Sequence, residues 1–375
     1  MFKICIVTST RADYGIMQGL ISKMSLDNEI DFRLCVTGTH LSNNHGYTRK
    51  YISINSSLID EIDILDTSEN VQNVCCEIVK RFTTYFSRHR FDMVVLLGDR
   101  YEIFYIASVA YLCKTKIAHI HGGENSFGSL DDGFRHCITK LSNIHFASCE
   151  KHRQRIIQMG ENPRNVYNVG SLSVENIQKM HFKSKKELAI KYKYDLKKYA
   201  MLTFNPVTRE KDNGLKELHE LFKALSRYNY ELIVIMPNID SGKDDIINFF
   251  KNTEIINIHF ISSIMYEDYI SFSKNCDLFI GNSSSGIIEI PSLRVPIINV
   301  GNRQMGREMP ESVISCLGTE KEITKAIEYV ATDSYKKILL QSKNIYYKPN
   351  SSDKIIHYIK KFLSKPNQKK FYDIK

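Results

Sequence analysis

The sequence predicts an α/β protein built from parallel sheets in two doubly wound domains, and three observations carry that reading. Apolar, β-rich runs recur along the whole chain, they are continuous rather than alternating, and stretches with helical spacing lie between them. A strand with continuous apolar residues is buried on both faces, as in a parallel sheet covered by helices. Regular alternation of such strands with helices is the pattern of α/β folds. At 375 residues the chain exceeds what one ordinary core organises, so two domains are expected.

The elements follow in order. FKICIVT, DFRLCVTG, FDMVVLLGD, TKIAHIHGG, NIHFASC and VYNVG are the strands expected in the first half. YAMLTFN, YELIVIMPN, IHFISS, CDLFIGN and VPIINVG are those expected in the second. GIMQGLISKMSL and MYEDYISFSKNC have helical spacing. The charge-rich stretch KSKKELAIKYKYDLKK separates the two series, with the boundary near 171–175, giving domains of 1–172 and 173–351. No low-complexity segment or short repeat interrupts the pattern.

Composition excludes several classes. Hydrophobic content of 43% and charged content of 25% are ordinary for a globular protein. No apolar run approaches the length that spans a membrane, so no membrane partner is expected. The run after Met1 is short and gives way at once to STRADYG, which reads as a first strand rather than a signal sequence. The nine cysteines are scattered, without a CxxC pair or a Cys/His metal spacing. That pattern predicts a reduced, cytoplasmic, metal-free protein. The net charge of +9 is spread over dispersed lysines, the densest at 185–198 and in the tail KPNQKK, where they read as solvated helix faces and ends. Without an aromatic-interleaved basic stretch, an anionic small molecule suits this field better than nucleic acid.

In open parallel sheets ligands bind beyond the carboxyl ends of the strands. Five polar or glycine-rich motifs fall there: STRADYG, GDR, HGGE, PNIDSG and GNSSSG. In GNSSSGIIE, backbone N–H groups at a helix start, with Ser284, Ser285 and Gly286, suit phosphate oxygens, and Glu289 one turn on suits ribose hydroxyls. A serine-capped helix would use the same residues. The loop matches neither a Walker A loop nor GxGxxG, which argues against ATP hydrolysis and NAD binding. Ser9, Thr10 and Arg11 stand at another strand-to-helix turn, where Arg11 can reach a diphosphate with two nitrogens or simply lie on a capped helix. Asp99 ends a strand and would otherwise be an N-cap paired with Arg100. The stretch AHIHGGENSFGSLDDGFRHCITK gathers Glu124, Asp131, Asp132, Arg135 and His136. Several carboxylates in one partly desolvated place push their pKa values apart and so supply both an acid and a base. Either Asp131 or Asp132 would also serve as a helix cap. His119 and His121 alternate in a strand and read as core or hydrogen-bonded histidines, not metal ligands.

Taken together, TSTRADYG, VTGTHLS, LGDRYEI, HIHGGE, DDGFRHCITKLSNIHF, NVGSLSVEN, IGNSSSGIIEIPSL and INVGNRQMGR resemble the UDP-N-acetylglucosamine 2-epimerase family nearly end to end, particularly its hydrolysing branch in bacterial sialic acid biosynthesis. The resemblance implies a GT-B-like fold, two Rossmann-like domains with an interdomain cleft, and a C-terminal helix (DKIIHYIKKFLSK, within 352–375) that rejoins the first domain. It implies a UDP-sugar substrate, no cofactor, no metal and a homo-oligomer, dimer or tetramer. It also implies Asp99, Glu124 and Asp131 as acid/base residues, with Asp132 the alternative to Asp131. Arg11, Ser284, Ser285 and Gly286 would hold the diphosphate and Glu289 the ribose, while Asn238, Asp240 and Arg303 would lie near nucleotide or sugar. One position departs from the family: related enzymes carry Phe-His-Pro where this chain has Phe204-Asn205-Pro206. Asn205 can hydrogen-bond but cannot take up a proton at neutral pH. The alternatives are the same chemistry on a UDP-2,4-diacetamido-2,4,6-trideoxyhexose for legionaminic acid, a non-hydrolysing epimerase, a GT-B glycosyltransferase, and a nucleotide-sugar binding protein without turnover.

Overall fold

Two all-parallel sheets take up the apolar runs. The first is built from β1 (Phe2–Thr8), β2 (Ile30–Thr37), β3 (Ile59–Ile62), β4 (Met93–Leu97), β5 (Lys116–Ile120), β6 (Ile144–Ala147) and β7 (Val166–Asn168), in the order β3-β2-β1-β4-β5-β6-β7. The second is built from β8 (Tyr199–Thr203), β9 (Glu231–Ile235), β10 (Ile258–Ile261), β11 (Leu278–Gly281), β12 (Ile297–Val300) and β13 (Val313–Cys316), in the order β10-β9-β8-β11-β12-β13. In both, the order reverses about the first strand of the sheet, the doubly wound arrangement in which most crossovers carry an α-helix. The computed structural model describes residues 1–44, 46–65, 70–127, 129–207, 210–236, 243–252, 257–262, 264–366 and 368–374.

The side-chain period of two explains why the strands read as continuous. In β1, Ile4 and Ile6 join one core with Met17, Leu20 and Ile21 of the helix Arg11–Ser25. Cys5 and Val7 face the opposite core with Ile78 and Phe82 of the helix Val71–Arg88 and Ile106 of the helix Tyr101–Leu112. Both faces are dry, so every position of such a strand must be apolar. In the second sheet, Ala200, Leu202, Val234 and Ile280 pack on Leu218 and Leu221 of the helix Leu215–Leu225 and on Ile323 and Ile327 of the helix Glu320–Val330.

Contacts divide the chain into two units. One comprises Met1–Glu124, Asp131–Asn176 and Tyr346–Lys375; the other comprises Asn125–Leu130 and Ile177–Ile345. The returning segment carries the helix Ser351–Leu363, whose Ile355, Ile356, Ile359 and Phe362 complete the core around helix Arg11–Ser25. Its start is tied by Glu175, whose carboxylate accepts from the backbone N–H of Ser352 at 2.8 Å and from its hydroxyl at 2.6 Å. Lys360 then reaches Asp27 at 2.7 Å.

Two strands were not among the runs expected from the sequence: β3 (IDEI) and β13 (VISC). Each is the outermost strand of its sheet. An edge strand need not bury both faces, so its apolar signal is weak.

Candidate active site

In the first unit the polar motifs sit at the carboxyl ends of β1, β4, β5 and β6. After β1, Thr10 caps the helix Arg11–Ser25 in a capping box with Asp13. The Asp13 carboxylate accepts from the Ser9 backbone at 2.8 Å, the Ser9 hydroxyl at 3.0 Å and the Thr10 backbone at 3.1 Å. Burial pushes that carboxyl above its usual range in spite of those bonds. Capping thus accounts for Thr10 and Asp13, while Arg11 opens the helix, half-buried.

After β4, the alternative reading of Asp99 as an N-cap does not hold. The cap residue of helix Tyr101–Leu112 is Arg100, which pairs with Glu102 at 2.9 Å. Asp99 instead meets the guanidinium of Arg135. Arg135, 2% exposed, is among the largest fully buried side chains of the first unit. Its other terminal nitrogen donates to the Glu124 carbonyl at 3.0 Å and to Asp132 Oδ1 at 3.3 Å. A single buried cation therefore holds the ends of β4 and β5 and the first turn of the helix Asp131–Leu141. That helix starts at Asp131, so Asp131 and Asp132 are first-turn residues, where the helix dipole favours negative charge.

Glu124 follows β5 by a turn whose geometry is unusual. His121 has φ 64°, a left-handed conformation, and Gly123 has φ 76°. A Cβ on Gly123 would stand 2.3 Å from the carbonyl of His152, so only glycine lets the chain press onto the helix Glu150–Gln158. The Glu124 side chain is buried, 3% exposed, and accepts from the Ser148 hydroxyl at 2.8 Å. His121 Nδ1 stands 3.8 Å and His152 Nδ1 4.0 Å from the same carboxylate oxygen. His119 is structural: it is fully buried, its Nε2–H donates to the Gly98 carbonyl at 2.8 Å, and its Nδ1 meets the Thr139 hydroxyl at 3.1 Å. Burial pushes its pKa down to about 3, so it stays neutral and braces the Asp99 loop. His136 stands 3.7 Å from Asp132. Among the described residues, no group of three or more His, Cys, Asp or Glu side chains is arranged to hold a metal ion.

The second unit presents a different chemistry at its strand ends. After β11, Gly281 has φ 142°, and a Cβ there would stand 2.0 Å from the Thr203 carbonyl. The next residue, Asn282, bridges to the end of β8: its Oδ1 accepts from the Asn205 N–H at 2.7 Å and its Nδ2 donates to the Asn205 carbonyl at 2.8 Å. Asn205 is buried in this bridge. Arg303 Nε donates to the Pro206 carbonyl at 3.0 Å, and Gln304 donates to the Asn282 carbonyl at 2.9 Å, so the loop after β12 braces both. The helix expected at GNSSSG is short, Ser285–Ile288, followed by a 3-10 turn. Its cap residue, Ser284, makes no side-chain capping bond, unlike the serine cap that the sequence allowed. The hydroxyls of Ser283 and Ser285 lie 3.0 Å apart, Ser285 also meets Tyr269, and Gly286 stands against Phe279. Glu289 is buried and accepts from Tyr266 at 3.3 Å. Asn238 and Asp240 lie outside the described residues.

Sequence reasoning missed three contributors: Ser148, His152 and Asn282. Ser148 and Asn282 were visible as strand-end residues, in NIHFASC and GNSSSG. His152 carried no such signal, since only the fold turns it toward β5.

Residues 22–360 match the family model described as UDP-N-acetylglucosamine 2-epimerase. The chain is 37% identical to the polysialic acid biosynthesis protein P7 of Escherichia coli, over 100% of this chain and 98% of that one. It is 34% identical to a GDP/UDP-N,N'-diacetylbacillosamine 2-epimerase (hydrolyzing) of Campylobacter jejuni, over 89% and 88%. A UDP-N-acetylglucosamine 2-epimerase of Neisseria meningitidis serogroup B is 31% identical over 88% and 87%. Among solved structures, a UDP-GlcNAc 2-epimerase from Neisseria meningitidis bound to UDP-GlcNAc superposes with a TM-score of 0.79 at 16% identity, over 96% of this chain and 100% of that one. The Methanocaldococcus jannaschii UDP-GlcNAc 2-epimerase, in complex with UDP-GlcNAc and UDP, gives 0.78 at 18% identity, over 96% and 100%.

Proposed function

The chain belongs to the UDP-N-acetylglucosamine 2-epimerase family, and within it we propose the hydrolysing reaction: UDP-N-acetylglucosamine and water give N-acetylmannosamine and UDP, for sialic acid biosynthesis. A carboxylate takes the C2 proton as the C1–oxygen bond breaks and UDP leaves with the bonding electrons. The product is a 2-acetamidoglucal. Water then adds its oxygen to C1, and an acid delivers a proton to C2 from the opposite face, inverting that centre. The chemistry needs acids and bases on both faces of the ring.

The observation that supports this reading most is the group of carboxylates around one buried arginine. Asp99 and Asp132 are paired with Arg135, and Glu124 lies buried beside its own hydrogen-bond donor. Carboxylates in such unlike surroundings divide acid and base duties. Asp99, Glu124 and either Asp131 or Asp132 are the acid/base residues in this proposal. Arg11, Ser284, Ser285 and Gly286 hold the diphosphate, Glu289 holds the ribose, and Asn205 and Arg303 lie near sugar and diphosphate. Asn205 cannot take up a proton at neutral pH, so proton transfer falls to the carboxylates. We expect a cytoplasmic homo-oligomer, dimer or tetramer. Among the described residues no helix is long and apolar enough to cross a membrane.

A second reading changes only the sugar, to a UDP-2,4-diacetamido-2,4,6-trideoxyhexose. Relatives at 34% and 32% identity named for diacetylbacillosamine favour it. NMR of the purified protein with UDP-N-acetylglucosamine in deuterated water tests both. Free N-acetylmannosamine carrying deuterium at C2, together with UDP, is the expected result. UDP-linked product with no free sugar would overturn hydrolysis. Turnover only of the diacetamido sugar would select the second reading.

A further inference from the structure

Behind Glu124 lies a chain of buried polar groups that the proposed reaction does not yet use. Ser148 ends β6 and His152 lies in the first turn of the helix Glu150–Gln158; both are 0% exposed. The Ser148 hydroxyl donates to Glu124 Oε1 at 2.8 Å and stands 2.9 Å from His152 Nδ1. A serine hydroxyl carries one proton. With that proton donated to an ionised Glu124, Ser148 accepts from His152, which then carries its imidazole hydrogen on Nδ1. For the ionised carboxylate the order of donation runs from His152 through Ser148 to Glu124.

We propose that Ser148 and His152 are positioning residues for Glu124, a relay that orients its carboxylate and favours its ionised form. The proposal rests on the acid/base role given to Glu124 above. It is carried by the three-membered chain and by the fit that makes it possible. Gly123 presses the β5 loop onto the His152 carbonyl, and Arg155 donates to the Gly123 carbonyl from the same helix. Arg135 fixes the Glu124 carbonyl from the helix Asp131–Leu141. Among the described residues, His121 and His152 stand near the Glu124 carboxylate, Arg135 donates to the Glu124 backbone carbonyl, and Arg155 donates to the carbonyl of the preceding residue. Hydrogen bonds to a buried carboxylate both hold its angle and lower its pKa.

The test is Ser148→Ala, a substitution that only removes an oxygen from a buried site. We expect kcat to fall ~10- to 100-fold with KM within about twofold, as for loss of a hydrogen bond to a charged group. We also expect the limb of the kcat–pH profile set by Glu124 to move to higher pH by roughly one unit. Unchanged kcat and an unmoved limb in an active enzyme would overturn the relay. A wild-type protein inert toward both UDP-sugars would overturn the reaction instead. In that case nitrogen NMR of 15N-histidine protein, with His152 assigned by His152→Gln, decides the relay alone. An Nδ1–H tautomer that changes in Ser148→Ala supports it, and an Nε2–H tautomer overturns it.

Discussion

The two sheets share a strand order over six strands, the first adding a seventh, and carry opposite kinds of polar edge. In the first unit the strand ends meet in charge: Arg135 among Asp99, Asp132 and the Glu124 loop, and Asp13 buried under the first turn. In the second they meet mostly in neutral amides and hydroxyls: Asn205 with Asn282, Gln304 with the Asn282 carbonyl, and Ser283, Ser285 and Tyr269 together. Neutral groups hold a shape at low cost but cannot exchange protons near neutrality. Buried charges can, and must be paired to be tolerated. On the proposed reading, the difference teaches that closely similar sheets can serve proton transfer on one edge and ligand holding on the other through the choice of residues.

Arg135→Met is the harshest way to break the contrast. It leaves Asp99 and Asp132 without their buried partner, and we expect a loss of about 3–5 kcal/mol in unfolding free energy with abolished turnover. Urea unfolding and the NMR assay check both. Asp99→Asn and Glu124→Gln sharpen it. Each should lower kcat by ~10²- to 10⁴-fold while calorimetry gives UDP affinity within about twofold. Near-normal turnover in both would reduce the first edge to scaffolding. Glu289→Ala and Arg11→Ala should weaken UDP binding ~10-fold or more, the size of a charged hydrogen bond. Unchanged affinity would remove them from the nucleotide site.

The smallest effect concerns pH, and here the two units have opposite signs. In the first, burial would raise the Glu161 carboxyl, but hydrogen bonds from His145, Lys140 and Lys369 pull it down to about 2. Its contribution to stability is complete above 4.5, the unperturbed value, and is lost as pH falls through about 2. In the second, burial, reinforced by Glu210 and Asp212, pushes Glu217 up to about 7. The folded chain then keeps a proton that the unfolded chain releases above 4.5, so stability declines from pH 4.5 to about 7 and is level beyond. Glu217→Gln should flatten that decline in urea unfolding between these limits, and Glu161→Gln should leave it in place. An unchanged slope in Glu217→Gln would assign the decline elsewhere.

Much of this was legible in the sequence, for a physical reason. All eleven of the expected apolar runs contain a strand, the central ones because burial on both faces favours apolar residues at successive positions. The edge strands β3 and β13 escaped because one side of each answers to solvent. The candidate site residues Asp99, Glu124 and Ser284 stood out in the sequence because each lies in a polar loop within four residues of a strand end. Partners were not. Asp99 pairs with Arg135, 36 residues on, and not with its neighbour Arg100.

What the sequence determined by itself was therefore the fold class, the parallel strands, and the side of each sheet on which polar residues collect. These follow from local periodicity and from the polarity of single residues. Only the tertiary structure decided that Arg135 gathers Asp99, Asp132 and the Glu124 carbonyl, that Ser148 stands between His152 and Glu124, and that burial pushes the Glu217 carboxyl upward. Hydrogen-bond partners and desolvation depend on which distant strands end side by side, and no spacing along the chain contains that information.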